Sequence, residues 1–322
     1  MTVLVTGGAG FIGSHVTERL LADGERVVVA DKFNDFYSPA QKRRNIAGFE
    51  KNPKATIVEM DITDSRAVER LFAQHSIEKV AHLAAIAGVR YSVEHPKEYF
   101  DVNVSGMANL FESSRLHHVS QMVFASTSSV YGNPSSFPTS ENDSTDSQLS
   151  PYAASKKMGE VLARSYFQSF GLPTNCLRFF TVYGPRNRPD MAVYLFGDAI
   201  YRGKPVQMFG DGSSKRDYTF VGDVADAVCK ALDGDLGFET INIGNHHPTP
   251  LRELIGSLEN AFSKKAVIAQ KPWPESDIQT TYADVSKAKK LLSWEPKTVL
   301  EEGIGAFAQW YLSTDNTLLQ DR

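Results

Sequence analysis

The stretch VLVTGGAGFIGSHVTERLL, residues 3–21, limits the possible folds more than any other part of the chain. A short β-branched run leads into glycines at 7, 10 and 13, and a helical pattern follows at once. Gly8, Gly10 and Gly13 also satisfy G-x-G-x-x-G. A turn this tight needs positive φ and a backbone that can come close to a pyrophosphate, and both requirements favour glycine. The helix behind it directs free N–H groups at that phosphate. The motif alone carries little weight, but a second strand pattern ends on Asp31, 18 residues after Gly13. A carboxylate there bonds both hydroxyls of an adenosine ribose and repels a 2′-phosphate. Gly7, Gly10, Phe11, Ile12, Gly13, Asp31 and its neighbour Lys32 are therefore predicted to hold NAD rather than NADP. MDITD (60–64) brings Asp61 towards the adenine amino group, with Ile62 beside it; a helix N-cap at Thr63 or Asp64 fits the same residues equally well. HLAA (82–85) sets Leu83, Ala84 and Ala85 at another strand end, where a cofactor can lie against the backbone.

Around this loop, apolar runs at 3–6, 26–31, 55–59, 79–83, 121–125 and 175–179 read as strands of a buried parallel sheet. Helical patterns at 14–23, 65–75, 103–117 and 152–170 lie between them. Such alternation predicts an α/β fold of Rossmann type, a doubly wound parallel sheet. After about residue 180 prolines and glycines punctuate the pattern; one more strand is expected at 240–243 and helices at 251–262 and 299–312. The expected organisation is a dinucleotide-binding domain over 1–180 and a smaller, interleaved substrate domain over 181–322, with segments near 217–245 returning to the first. A net charge of −4 gives no reason to expect nucleic acid or an anionic membrane as partner. No apolar run reaches 18 residues, the first one (3–5) is too short for a signal peptide, and Cys176 and Cys229 sit in apolar settings. A cytoplasmic protein with reduced thiols is expected. Histidines pair at 117–118 and 246–247 without a carboxylate at ligand spacing, so no metal site is expected.

Two further stretches concentrate reactive groups. STSSVYG (126–132) bunches four hydroxyls at the end of a strand. SPYAASKKMGE (150–160) starts a helix, with Ser150 as N-cap and Pro151 at its first position. Tyr152 and Lys156 then share a helical face. Bringing a phenol from pKa near 10 to about 7 takes roughly 4 kcal/mol of preference for the phenolate. A nearby ammonium supplies part of it, and a bound nicotinamide cation more.

Together, T-G-G-x-G-x-I-G, the hydroxyl-rich strand end before V-Y-G and Y-x-x-x-K resemble the extended short-chain dehydrogenase/reductase family, in particular its nucleotide-sugar epimerases and dehydratases, over nearly the whole chain. The resemblance implies Tyr152 as acid/base on the sugar 4-hydroxyl, Lys156 as the group that lowers its pKa and binds the nicotinamide ribose, and Thr127 as a partner of the same oxygen. Ser126 is given no role; lining the nicotinamide and capping the strand end are both open to it. The family's 4,6-dehydratases carry Asp-Glu after the Thr, and its decarboxylases carry Glu nearby; Ser128 and Ser129 stand there instead. Elimination lacks its proton-transfer groups, and C4 epimerisation by hydride abstraction, rotation of a 4-keto sugar and hydride return is what remains.

AGVRYSVEHPKEYFDVNVSG (87–106), LRFFTVYGPRNRPDMA (177–192) and DKFNDFY (31–37) are similar to the UDP-glucuronate 4-epimerases of that family more than to its UDP-galactose enzymes. Hydroxyls at Ser128, Ser129 and Thr181 suit a C6 carboxylate. Arg188, Arg90 and Arg186 are candidate anion partners, with Arg188 the best match to the family's substrate arginine. MFGDGSSKRDYTFV (208–221) is similar to the nucleotide segment, implying Phe209 against uracil and Arg216 at the diphosphate; Asp277 matches an aspartate near the uridine ribose. The segment before it reads PWPES, without the arginine that the galactose enzymes carry. The resemblance also implies a homodimer through helices near 97–117 and 152–170, where Leu110, Phe111, Val161 and Leu162 exceed what one sheet-facing stripe needs. A 4-epimerase of UDP-galactose or a UDP-N-acetylhexosamine (or its uronic acid), or a non-catalytic dinucleotide-binding regulator, are the alternative readings.

Overall fold

Strand β1 (Thr2–Thr6) is buried at every position, as an unbroken apolar run must be inside a parallel sheet covered on both faces. The computed structural model describes residues 1–273 and 278–313. From β1 the chain runs through α1 (Phe11–Ala22), β2 (Arg26–Asp31), α2 (Pro39–Ile46), β3 (Ala55–Glu59), α3 (Ser65–Gln74), β4 (Lys79–His82), the short helices α4 (Val89–Glu94) and α5 (Pro96–Phe100), α6 (Met107–Leu116), β5 (Gln121–Thr127), α7 (Pro151–Phe170) and β6 (Thr174–Phe179). There follow β7 (Thr181–Tyr183), α8 (Ala192–Arg202), β8 (Pro205–Phe209), β9 (Lys215–Phe220), α9 (Val221–Asp233), β10 (Phe238–Ile243), β11 (Pro248–Pro250), α10 (Leu251–Phe262), β12 (Val267–Lys271), α11 (Ser286–Leu292) and α12 (Leu300–Ser313).

Seven strands form one sheet in the order β10-β6-β5-β4-β1-β2-β3, with every neighbouring pair parallel. Alternate residues feed opposite cores. Val3 and Val5 pack with Val16, Val224 and Val228, while Leu4 packs with Met107, Leu110 and Phe111 on the other side. This is the doubly wound α/β fold expected from the alternating pattern. The strand order reverses between β1 and β4, and in such sheets a crevice opens at the carboxyl ends beside that point.

The predicted helix at 103–117 is interrupted. Residues Asp101–Gly106 form a wide π-helical turn between α5 and α6. Its Asn103 amide donates to the Ile86 carbonyl at 2.9 Å and accepts from the Ile86 N–H at 2.8 Å, so a tertiary bridge holds the turn. Leu110 and Phe111 are fully buried in the core of the chain itself, which corrects their expected place on an outward face. Val161 and Met158 on α7 are exposed, at 59% and 47%.

Past β6, strands β11-β9-β7 form a small sheet and β8 pairs with β12. Helices α8, α10 and α12 close a third core around Tyr183, Phe262, Phe307 and Tyr311. Between these, α9 packs against α1 and β10 extends the central sheet beside β6.

Candidate active site

The glycine turn does what its spacing requires. Gly7 has φ +68°, its N–H donates to the Ala30 carbonyl at 2.8 Å, and its own carbonyl accepts from Gly10 N–H at 2.9 Å. A Cβ on Gly13 would stand 2.1 Å from the Gly7 carbonyl oxygen. The turn therefore closes only with glycine at that position, and it leaves the first N–H groups of α1 facing a cleft of about 1220 Å³. Gly7, Gly10, Phe11, Ile12 and Gly13 line this cleft, with Asp31, Lys32, Asp61 and Ile62 from the next two strand ends and Leu83, Ala84 and Ala85 from the fourth. The carboxylate of Asp31 is fixed: Ala9 N–H donates to Oδ2 at 3.1 Å and Phe33 N–H to Oδ1 at 2.8 Å. A backbone cradle with no room for side chains, open amides and an oriented carboxylate fit a dinucleotide.

Asp61 is occupied by protein partners. Lys32 Nζ lies 2.7 Å from its carboxylate, and Thr63 N–H donates to it at 2.9 Å. Burial alone would raise its pKa, but these partners hold it below the usual carboxylate range. The N-cap of α3 is Asp64, which accepts from the N–H groups of Arg66 and Ala67.

The second group of residues stands at the ends of β5 and α7. Ser150 caps α7 by accepting from Ala153 N–H at 3.2 Å, with Pro151 next, as predicted. Tyr152 and Lys156 both line the cleft. Burial pushes the Tyr152 phenol up, and the neighbouring Thr127 hydroxyl and the Arg188 charge pull it back part of the way. Lys156 Nζ donates to the Ala125 carbonyl at 2.8 Å, and burial pushes its ammonium down to about 7. Desolvation thus opposes both charged forms, and the lysine alone does not bring the phenol to neutrality. Tyr99 packs edge-on to Tyr152 with ring centroids 6.1 Å apart. Thr127 Oγ1 accepts from Ser129 N–H and donates to Ser129 Oγ, both at 3.2 Å. Ser128, Ser129 and Thr181 line the cleft half-buried. Arg188 also lines it, held by Asp190 in a two-point ion pair at 3.0 and 2.7 Å.

Other candidates lie elsewhere. Arg186 pairs with Glu18 at 2.6 Å and does not line the cleft. Arg90 and Phe209 stack on each other, guanidinium carbon 5.0 Å from the ring centroid, and Arg216 donates to the carbonyls of Lys215 and Gln279. None of these three lines the cleft. Asp277 lies outside the described residues. Sequence reasoning missed Asn34, Tyr37 and Lys42 in the cleft wall, and Glu160 behind it. Ser126 Oγ donates to Glu160 Oε1 at 2.7 Å, so this hydroxyl turns towards α7 and ties the strand end down. A signal for Glu160 was present, since it continues the four-residue spacing of Tyr152 and Lys156. Among the described residues there is no cluster of metal-ligating side chains and no helix long and apolar enough to cross a membrane.

A sequence profile of the NAD dependent epimerase/dehydratase family matches residues 3–244. The chain is 42% identical over 308 residues to a UDP-glucuronate 4-epimerase of Thermodesulfobacterium geofontis, covering 95% of each protein. Its fold superposes on the UDP-glucuronic acid 4-epimerase from Bacillus cereus, solved in complex with UDP-glucuronic acid and NAD, with a TM-score of 0.91 at 35% identity over 96% of this chain and 98% of that one. It also superposes on the UDP-glucose 4-epimerase of Thermotoga maritima solved with UDP-glucose, with a TM-score of 0.89 at 34% identity over 97% and 99%.

Proposed function

Because the chain belongs to the NAD-dependent epimerase/dehydratase family, we propose that it interconverts UDP-glucuronate and UDP-galacturonate by inverting C4 of the sugar, with NAD as a bound and regenerated cofactor. The observation that carries this reading is one cleft lined by the glycine turn, Thr127, Tyr152, Lys156 and Arg188, with serines and no carboxylate at 128 and 129. NAD, when bound, supplies the hydride acceptor and donor at the sugar carbon.

Tyr152 takes the proton from O4 and later returns one to O4 after the sugar has turned its other face. The Thr127 hydroxyl, once it turns from Ser129 Oγ to the phenol, steadies the same oxygen and favours the phenolate. Lys156 and Arg188 add positive charge on that side of the cleft. Ser128, Ser129 and Thr181 donate to the C6 carboxylate. A 4-keto uronic acid loses CO₂ readily once a proton is delivered to the developing enolate; with no acid at 128 or 129, that delivery is withheld. Arg90 remains our second candidate for the substrate carboxylate, and Phe209, Arg216 and Asp277 remain our candidates for the uridine diphosphate, on the family resemblance. We further propose a homodimer packed through α7 and the 97–117 helices, supported by the exposed Val161 and Met158. A cytoplasmic setting is supported by the free buried thiols of Cys176 and Cys229.

Incubation with UDP-glucuronate, followed by separation of the C4 epimers, tests the activity. UDP-galacturonate should appear with no net NADH. Turnover of UDP-glucose or a UDP-N-acetylhexosamine instead would move the substrate assignment to a neutral sugar, and no turnover of any of them would end the epimerase reading.

A further inference from the structure

Ser126 and Arg178 are register partners on the adjacent parallel strands β5 and β6, so their side chains leave the sheet on one face. Both end on the same carboxylate. Ser126 Oγ donates to Glu160 Oε1 at 2.7 Å; Arg178 donates from Nε to Oε1 and from Nη2 to Oε2, each at 2.8 Å. All three residues are buried. Glu160 follows Lys156 by four residues on α7, and Lys156 follows Tyr152 by four, so the three occupy one helical face. Lys156 itself grips the Ala125 carbonyl. The helix is thereby fastened to two successive residues of β5, immediately before Thr127, and to the neighbouring strand as well.

Stability is a weak reason for such an arrangement, since apolar residues of similar volume often replace a buried ion pair without loss. A two-point guanidinium–carboxylate contact supplies direction instead, because it fixes both planes. The pair's charges cancel, so it sets geometry without adding net charge one turn from Lys156. The other groups facing it are Lys157, whose Nζ lies 3.4 Å from Glu160 Oε2, and the Tyr131 ring, whose centroid lies 4.7 Å from the Arg178 guanidinium carbon. We propose that Glu160 and Arg178 are positioning residues that hold the helix carrying Tyr152 and Lys156 in register with the strand end carrying Thr127. This rests on the epimerase reading of the Thr127–Tyr152 contact.

The test compares the unaltered, NAD-loaded protein with Glu160→Gln and with the double variant Glu160→Leu, Arg178→Met, which removes the pair without stranding a charge. On UDP-glucuronate, kcat should fall about 10- to 100-fold in both, as a displacement of reacting groups of about 1 Å produces. KM should stay within about twofold, because substrate binding is untouched. The acid limb of the kcat–pH profile should move to higher pH as Tyr152 loses the pull of Thr127. A merely structural pair would lower the melting temperature and leave kcat per folded molecule and the pH limb unchanged. Wild-type kcat and an unmoved limb in the double variant overturn the proposal, whatever the single variant does. If the unaltered protein turns over no UDP-sugar, the epimerase reading fails by itself. Amide exchange across residues 150–158, which needs no substrate, then decides: faster exchange in folded Glu160→Gln supports the positioning role, and unchanged protection overturns it.

Discussion

Tyr152 has one hydroxyl to lose, and the phenol packed against it, Tyr99, donates its own to the Ala87 and Gly88 carbonyls. Tyr152→Phe should leave fold and NAD binding intact and reduce epimerisation to background, measured by product separation beside circular dichroism of the same sample. Near-normal turnover would remove the phenol from the reaction. Gly13→Ala asks a different question, because its Cβ would meet the Gly7 carbonyl oxygen at 2.1 Å. The variant should bind NAD at least about tenfold more weakly by calorimetry; unchanged affinity would show that the turn has slack. Residues of this kind were legible in the sequence because their roles are local: a turn closes with its own glycines, and a helix starts at its own serine and proline. The partners of Glu160 and Asp61 were not, although Asp61 itself was named and Glu160 keeps the helical spacing, and the reason is the same for both. Each is defined by a charged partner brought in from elsewhere in the fold, Arg178 on the next strand and Lys32 at the end of β2.

Elements show the same division. The buried strands were readable from β-branched runs that cannot stand in water on either face, and α10 from its apolar stripe. The π-helical turn at Asp101–Gly106 was not, since no local propensity calls for it and only the bridge between Asn103 and Ile86 explains it. Nor does helical periodicity say which apolar face meets which neighbour, and this is why Leu110 and Phe111 belong to the core beneath the sheet rather than to a second subunit. Leu110→Ala should cost about 2–5 kcal/mol in urea unfolding and leave the association state alone. Val161→Glu, on the exposed side of α7, should do the reverse: little loss of stability, but a shift from dimer to monomer in sedimentation. A monomeric unaltered protein would dispose of the dimer.

At the scale of the whole molecule, acid should unfold the protein through its buried imidazoles. His82, the last residue of β4, accepts or donates at Thr6 Oγ1 on β1 over 2.8 Å and is pushed down to about 3, chiefly by burial and then by Lys156. Its folded pKa lies below its unfolded value of 6.5, so the unfolded chain takes up a proton that the folded chain refuses. Stability is complete above that pH and is lost as pH falls through it, by about 2 kcal/mol between pH 6.5 and 5. Asp217, pushed up to about 6 by burial, works in the opposite direction below that pH. The readout is therefore the difference between the unaltered protein and His82→Asn in denaturant titrations at pH 7 and 5; a difference that does not narrow on acidification would refute the assignment. Finally, the chain does not pass once from the large sheet to the smaller lobe. It leaves after β6, returns for α9 and β10, leaves again for β11, α10 and β12, and comes back to lay Trp294 against the first core before ending in α12. No single cut separates the lobes, so recombination cannot trade the smaller one as a cassette. A descendant with a new sugar preference has to be reached by point substitution within the cleft, one side chain at a time.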